Sequence, residues 1–196
     1  ARPLAAAIAA NRAACDTSTL VALSSAGAIL SDAVKEELQR VLPDTMILNN
    51  FGASETGHQG TAVDMGDGKL RFFMHGDATL VVDDAMQRVQ PGETGWIARC
   101  GNVPLGYYKD AEKTAKTFAT IGGKRYVIPG DRGILEEDGT IILLGRGSIC
   151  INTGGEKVFP EEVEQALKAH PAVMDAVVVG VPDERWGQAP LAFVQA

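Results

Sequence analysis

The order of apolar runs in the first quarter of the chain constrains the fold more than any other feature of the sequence. The run STLVALSSAGA is followed by SDAVKEELQRVL and then by TMILNNF. The middle segment predicts a helix, because Val34, Leu38 and Val41 recur on one helical face. Ser31 is a typical N-cap for this helix, and Pro43 ends it. Strand, helix and strand within about 35 residues predict a βαβ unit with a parallel sheet, whose ligands bind beyond the carboxyl ends of the strands.

A different pattern of short apolar runs separated by turn sequences begins at about residue 65. The runs are divided by GDGK, QPGETG and EEDGT, and GILEEDGTIILLG predicts a hairpin around Asp138 and Gly139. This stretch predicts a small β subdomain with one short helix in DAEKTAKTF. After GRGS, the sequence predicts an α+β module. Its elements are a hairpin on Gly154 and Gly155, a helix in PEEVEQALKAH, and strands in AVMDAVVVGV and APLAFVQA.

Composition excludes several classes of protein. The net charge of −7 over 196 residues argues against nucleic acid and against an anionic membrane surface as partners. No run approaches the ~18 apolar residues of a membrane span, so no integral membrane segment is predicted. Cys15, Cys100 and Cys150 are odd in number and far apart, which favours a reducing, cytoplasmic setting and argues against a zinc site. Because the chain opens on Ala and stops within an apolar run, we expect it to be a piece of a longer protein.

The stretch NNFGASETGHQG, at the end of the second predicted strand, has the residue types of a nucleotide site. Phe51 offers a flat apolar face for a base, and Gly52 would let a ligand approach the backbone. Ser54 offers a hydroxyl for a phosphate, and Glu55 a carboxylate for Mg²⁺. Taken alone, the same five residues also fit a capped turn with a solvated Glu.

Three later positions suggest further contacts with a ligand. Asp131, in GDRG, could accept hydrogen bonds from the two vicinal hydroxyls of a ribose, or be an ordinary turn residue. Arg146 lies where the two later patterns join, and a surface cation is its alternative explanation. In TGGEK, Gly154 and Gly155 expose amides beside Lys157, which suits a long ligand or an anion, or simply a hairpin turn.

Five motifs occur in an order that resembles the later half of the adenylate-forming superfamily, which comprises acyl-CoA synthetases, peptide-synthetase adenylation domains and luciferases. They are AGAILS, NNFGASETG, TGWIARCGNVPLGYYKDAEKTAKTF, YVIPGDRGILEEDGTIILLGR and INTGGEKVFPEEVE. The resemblance covers the chain from about residue 20, and the last motif is most similar to actinobacterial-type fatty-acyl or steroid-acid CoA ligases.

The resemblance implies an α/β fold in two parts. Residues 1–146 would end a large AMP-binding domain, with a parallel βαβ region in 1–64 and a small β-barrel-like subdomain in 65–146. Residues 147–196 would begin a small, mobile α+β C-terminal domain that is incomplete.

The resemblance also implies roles for individual residues. Phe51 would stack on adenine, opposite the backbone of Ala26, Gly27 and Ala28. Three residues would take part in catalysis: Ser54 toward the phosphates, Glu55 as the Mg²⁺ ligand, and Arg146 on the nucleotide before the interdomain hinge. Asp131 would bind the ribose. The loop that would meet the pantetheine arm of coenzyme A consists of Gly154, Gly155, Glu156 and Lys157. The residues that would lie near the acyl group are Gly52, Ala53, Gly57 and His58, and a surface histidine is the alternative for His58.

The implied activity is ATP-dependent, AMP-forming acyl-CoA ligation of a fatty or bulky, steroid-like acid. Its partners would be that small carboxylic acid, ATP, CoA and the remainder of the chain's own polypeptide. The chain lacks the upstream phosphate loop and the late catalytic Lys of the family, so we expect it to be inactive alone. Ile149 also departs from the Asp or Lys that is frequent at the family's hinge. The alternatives are an amino-acid adenylation domain and a non-catalytic adenylate-binding module.

Overall fold

The computed structural model describes residues 1–27, 30, 32–63 and 69–196, without the side chains of Asp32 and Ser148. The expected N-cap Ser31 and the expected adenine neighbour Ala28 therefore lie outside the described residues. The helices are α1 (Arg2–Ala10), α2 (Asp32–Val41), α3 (Ala111–Thr117) and α4 (Pro160–Lys168). The strands are β1 (Ala22–Ser25), β2 (Met46–Ala53), β3 (Gly57–Val63), β4 (Arg71–Met74), β5 (Thr79–Val82), β6 (Thr94–Cys100), β7 (Phe118–Ile121), β8 (Lys124–Val127), β9 (Asp131–Leu135), β10 (Ile141–Arg146), β11 (Ile151–Thr153), β12 (Glu156–Val158), β13 (Asp175–Asp183) and β14 (Gly187–Gln195).

Ten strands form one sheet in the order β1-β2-β3-β4-β10-β9-β6-β8-β7, with β5 beside β6. The parallel βαβ unit is confirmed, because β1 and β2 pair in parallel, from Ala22 opposite Met46 to Ser25 opposite Asn49. Every other pairing among the described strands of this sheet is antiparallel. The fold is thus α/β and mostly sheet, with few helices.

The crossover helix α2 is held by the apolar face that its sequence predicts. Leu38 is fully buried and packs in a cluster with Ala5 of α1, Leu30 and Ile47 of β2. Val34 and Val41 are partly buried against the same cluster, as their spacing predicts. None of the described helices is long and apolar enough to cross a membrane.

A second sheet of four strands, in the order β12-β11-β14-β13, occupies the end of the chain. Its hairpin between β11 and β12 turns on Gly154 and Gly155, as predicted, and both glycines have positive φ. Helix α4 covers one face of β13, where Ala176 and Val178 are buried. Phe159, just before α4, packs against β10 of the first sheet.

Two details differ from the sequence-based expectations. The stretch NNFGASETGHQG is mainly strand, because β2 continues through Ala53 and β3 begins at Gly57. The three-residue turn is closed by Thr56, whose Oγ1 accepts a 2.8 Å hydrogen bond from the Ala53 amide. In addition, β3 pairs with β4, so the first sheet continues from the 1–64 region into the 65–146 region. The division of the chain into domains stays a prediction.

Replacing Leu38 by Ala tests the packing of the crossover helix. We expect a loss of about 2–5 kcal/mol in the free energy of unfolding, because the substitution leaves a cavity at a fully buried site. Leu105→Ala is the matched control, since Leu105 is 94% exposed, and its effect should stay within about 0.5 kcal/mol. Urea unfolding measures both, and equal losses would contradict the assignment of Leu38 to the core.

Candidate functional site

A cavity of about 990 Å³ lies where β2, the β2–β3 turn, the paired ends of β9 and β10, and α4 meet. Ala26 and Gly27, directly after β1, also line it. The cavity is therefore at the carboxyl ends of the parallel strands, where the βαβ unit predicts a ligand. The predicted site residues that line it are Ala26, Gly27, Phe51, Gly52, Ala53, Ser54, Glu55, Gly57, His58, Asp131 and Arg146.

The predicted pantetheine loop lies apart from the residues that line this cavity. Gly154, Gly155, Glu156 and Lys157 belong to the β11–β12 hairpin of the second sheet. The Gly154 amide donates a 2.9 Å hydrogen bond to the carbonyl of Trp186, which ties the loop to the segment before β14. The role of this loop stays a prediction.

Phe51 is a core residue as much as a cavity residue. Its exposed fraction is 8%, and its ring centroid lies 5.5 Å from that of Phe72 at a tilt of 48°. The alternation along β2 explains this, since Ile47, Asn49 and Phe51 point to the buried face. A small part of the ring borders the cavity, so stacking on a base would use only that part.

Gly52 is required by the hairpin itself. The register of β2 and β3 shifts between Phe51 and Gly52. A Cβ atom at Gly52 would overlap the carbonyl oxygen of Gly57 on the opposite strand. The close approach that the sequence suggested for a ligand is made in the structure by the neighbouring backbone.

Glu55 receives a hydrogen bond that the sequence did not predict. The Tyr107 hydroxyl donates to Glu55 Oε1, although the two residues are 52 positions apart. This hydrogen bond lowers the pKa of Glu55 below its ordinary 4.5; partial burial opposes it, and Lys113 and Arg146 act in the same direction as Tyr107. Burial raises the pKa of Tyr107, and the bond to Glu55 raises it further.

Asp131 and Arg146 are brought side by side by strand pairing. They are opposite residues in the register of β9 and β10, and Arg146 Nε lies 3.6 Å from Asp131 Oδ1. Burial raises the pKa of Asp131 above its ordinary 3.8, and the Arg146 guanidinium partly opposes this. The negative charges of Glu161 and Glu55 add to the rise.

Helix α4 supplies cavity residues that the sequence analysis missed. They are Glu161, Glu164, Gln165 and Lys168. Glu161 Oε1 accepts a 3.3 Å hydrogen bond from the Arg146 amide, and its carboxylate packs directly on Gly145. The sequence PEEVEQALKAH predicts the helix itself, and nothing local shows which strand end that helix contacts.

His58 has a partner that the sequence also did not reveal. Its ring lies 4.9 Å from that of His75, the residue after β4, and Thr61 Oγ1 is within 3.5 Å of His58 Nε2 and 3.2 Å of His75 Nε2. Thr61 donates to Asn50, another cavity residue. The pair follows from the pairing of β3 with β4, and a role for His58 in the acyl pocket stays a prediction.

The residues present fit Mg²⁺ delivered together with a phosphate ligand. Within the described ranges, no group of three or more His, Cys, Asp or Glu side chains could enclose a metal ion. Mg²⁺ takes one or two carboxylates and completes its octahedron with water and phosphate oxygens. Glu55 offers one cavity carboxylate, held ionised by its surroundings, beside the exposed Ser54.

Replacing Arg146 by Gln tests the balance at Asp131. We expect the pKa of Asp131 to rise further, because burial then acts without the guanidinium that opposes it. Because the pKa of Asp131 is higher in the folded protein than in the unfolded chain, this group stabilises the fold at pH values below 3.8. The stabilisation is lost as the pH rises through the folded-state pKa. A carboxyl carbon NMR titration measures this pKa. Lys124→Gln removes the same charge elsewhere and should leave the Asp131 titration unchanged; no rise in the Arg146 variant would contradict the assignment.

Comparison with known proteins gives the same family at the level of sequence and of structure. Residues 162–196 match the family model of the AMP-binding enzyme C-terminal domain. The chain is 53% identical over 188 residues to the medium/long-chain-fatty-acid–CoA/3-oxocholest-4-en-26-oate–CoA ligase of Mycobacterium tuberculosis, covering 92% of this chain and 34% of the relative. It is 48% identical over 186 residues to the 3-oxocholest-4-en-26-oate–CoA ligase of Rhodococcus rhodochrous, covering 91% and 33%.

Among solved structures, o-succinylbenzoate CoA synthetase of Bacillus subtilis, in complex with its acyl-adenylate intermediate, superposes with a TM-score of 0.74 at 26% identity. The match covers 98% of this chain and 39% of that one. The chain thus spans about a third of the length of the curated relatives it matches. Ordered motifs, fold and relatives agree: the chain belongs to the adenylate-forming superfamily, in its acyl-CoA synthetase branch, and corresponds to a C-terminal portion of it.

Proposed function

We propose that the chain supplies the adenosine and metal contacts of an ATP-dependent, AMP-forming acyl-CoA ligase. The observation that carries the proposal is the meeting of Glu55, Asp131 and Arg146 around one cavity. These residues come from distant parts of the sequence, and each matches a nucleotide-contacting position of the family motifs.

The proposed roles follow from the chemistry of each side chain. Asp131, beside Arg146, accepts hydrogen bonds from the ribose hydroxyls, and Phe51 borders the base. Ser54 faces the phosphates, and Glu55 holds Mg²⁺, which supplies stabilisation of the charge on the phosphate oxygens. Arg146, 56% exposed, adds a positive charge at the same place.

The proposed reaction has two displacement steps. In the first, a carboxylate oxygen of the acid attacks the α-phosphorus of ATP, and the bond to the bridging oxygen breaks, which gives acyl-AMP and pyrophosphate. In the second, the CoA thiolate attacks the acyl carbon, and AMP leaves with the electron pair of the broken C–O bond. We place this reaction in the cytoplasm.

The acid is proposed to be a medium- or long-chain fatty acid or a steroid-like acid. The names of the relatives from M. tuberculosis and R. rhodochrous support this class. Ala53 and Gly57, two small residues that line the cavity next to Gly52, leave room beside His58 for an acyl group.

We also propose that residues 147–196 move relative to residues 1–146 between the two steps. In the present arrangement α4 faces the cavity, whereas the TGGEK loop does not line it. A rotation about the short 3₁₀ segment Gly147–Ile149 would exchange them. Ile149 lies on the cavity wall in this segment, and an apolar residue there leaves the pivot without the charged side chain frequent in the family.

The chain alone should not catalyse ATP–pyrophosphate exchange with any acid, because it lacks the family's phosphate loop and late Lys. A longer polypeptide that contains both should catalyse the exchange and form acyl-CoA. A panel of fatty, steroid, aromatic and amino acids tests the substrate class as well. The proposal would be contradicted if the chain alone turned over, or if the longer protein preferred amino acids. If the longer protein bound adenylate without turnover, a non-catalytic module would be favoured.

In the longer polypeptide, Glu55→Gln should lower kcat about 100-fold or more, since it removes the charge that holds the cation in the transition state. Asp131→Ala should raise the KM for ATP through loss of the ribose contact. Glu137→Gln, at an exposed position of the β9–β10 hairpin, is the matched control and should behave as wild type. Acyl-CoA formation that survives both site substitutions would show that the site assignment is wrong.

A further inference from the structure

We propose that Tyr107 is a positioning residue for the metal-binding carboxylate of Glu55, an inference that rests on the proposed function. Nothing in the sequence of the motif GNVPLGYYKDAEKTAKTF indicates a contact with the nucleotide site. In the structure, one side chain of this motif reaches that site and contacts the carboxylate assigned to the cation.

The contact joins two distant parts of the first sheet. Glu55 lies in the turn between β2 and β3, and Tyr107 lies in the connection between β6 and α3. The Tyr107 hydroxyl donates to Glu55 Oε1. A carboxylate has about four acceptor positions on its two oxygens, so this hydrogen bond leaves the remaining positions for a cation.

Tyr107 is itself held from several sides, which makes its hydroxyl a fixed donor. Lys113 Nζ lies 4.0 Å from the centre of the Tyr107 ring, and the ring of Phe118 meets it edge-on at 6.1 Å. The Tyr107 amide donates a 2.9 Å hydrogen bond to Thr114 Oγ1. Helix α3, which carries Lys113 and Thr114, is preceded by Asp110, whose side chain caps the helix by accepting a hydrogen bond from the Lys113 amide.

Nearby cations cannot replace this contact. Lys113 and Arg146 also favour the ionised form of Glu55, but a charge at a distance does not choose the orientation of a carboxylate. A hydrogen bond to one particular oxygen, Glu55 Oε1, does determine that orientation. Outer partners of this kind orient metal ligands, and their removal typically weakens metal binding about 10–100-fold.

The next residue provides a built-in control. Tyr108 follows Tyr107 in the same connection, but its side chain is 87% exposed, with Lys109 Nζ 5.4 Å from its ring. Tyr107→Phe and Tyr108→Phe therefore each remove one phenol hydroxyl from the same loop and keep the ring. Only the first removes the donor to Glu55.

The first measurement uses the chain alone and needs no activity. A carboxyl carbon NMR titration follows Glu55 in the wild type and in both Phe variants. Tyr107→Phe should raise the pKa of Glu55 toward its ordinary 4.5, because its largest lowering influence is gone. Tyr108→Phe should leave it unchanged. An unchanged pKa in the Tyr107 variant, or the same rise in both variants, would overturn the proposal.

A reciprocal measurement covers the case in which Tyr107→Phe does not fold. Glu55→Gln removes the charged acceptor, so the pKa of the Tyr107 phenol should fall, because the hydrogen bond to Glu55 and its negative charge both raise that pKa. Ring carbon NMR of Tyr107 against pH reports this value. If the phenol titrates identically in wild type and in Glu55→Gln, the two groups do not interact and the proposal is wrong.

The second measurement uses the longer polypeptide and tests positioning. For Tyr107→Phe, the Mg²⁺ concentration that gives half-maximal acyl-CoA formation should rise about 10-fold, and activity should recover at high Mg²⁺. Tyr108→Phe should keep the wild-type requirement. If Tyr107→Phe keeps the wild-type Mg²⁺ requirement while Glu55→Gln lowers kcat about 100-fold or more, the positioning role is overturned and the proposed function stays intact. If the wild type forms no acyl-CoA from any acid, the proposed function fails, and the role of Tyr107 toward a catalytic metal fails with it, even where the NMR titration shows the hydrogen bond.

Discussion

The register of β10 is the constraint on which the rest of the structure depends. This strand pairs with β4 through Ile141 and Ile142 and with β9 along most of its length. It therefore joins the part of the sheet that carries the Glu55 turn to the part that carries Asp131. Because side chains alternate along a strand, a slip of one residue would turn Arg146 away from Asp131. Helix α4 packs against the same strand, so the register of β10 also determines which residues of α4 reach the cavity.

Features encoded by neighbouring residues could be predicted from the sequence. The spacing of Val34 and Leu38 predicted the crossover helix, and Asp138 with Gly139 predicted the β9–β10 hairpin. The order of the five motifs predicted that Glu55, Asp131 and Arg146 would meet, and they line one cavity. Motif order carries this information because it encodes a whole topology, whereas each motif alone also fits an ordinary turn.

Features that depend on contacts between distant segments could not be predicted in this way. Tyr107 donates to a carboxylate 52 residues away, and Glu161 packs on Gly145 across the boundary between the two sheets. No periodicity or spacing encodes either contact. Gly52 has a similar explanation: its lack of a side chain suggested an approaching ligand, but the opposite strand occupies that space. Local sequence shows that a residue is unusual, and only the packing shows what makes it so.

The cavity contains two carboxyl groups whose pKa values are shifted in opposite directions. Burial raises that of Asp131, while the Tyr107 hydroxyl lowers that of Glu55. A nucleotide has a comparable polarity, with neutral hydroxyls on its ribose and negative phosphates that travel with a cation. A buried carboxyl beside a guanidinium suits the hydroxyls, because it can accept their hydrogen bonds without a metal ion. An ionised carboxylate with a fixed orientation suits the cation. The different surroundings of two chemically equivalent groups thus make the two places in the cavity suit different parts of a nucleotide. This supports the proposed placement of ribose at Asp131 and of phosphates near Glu55.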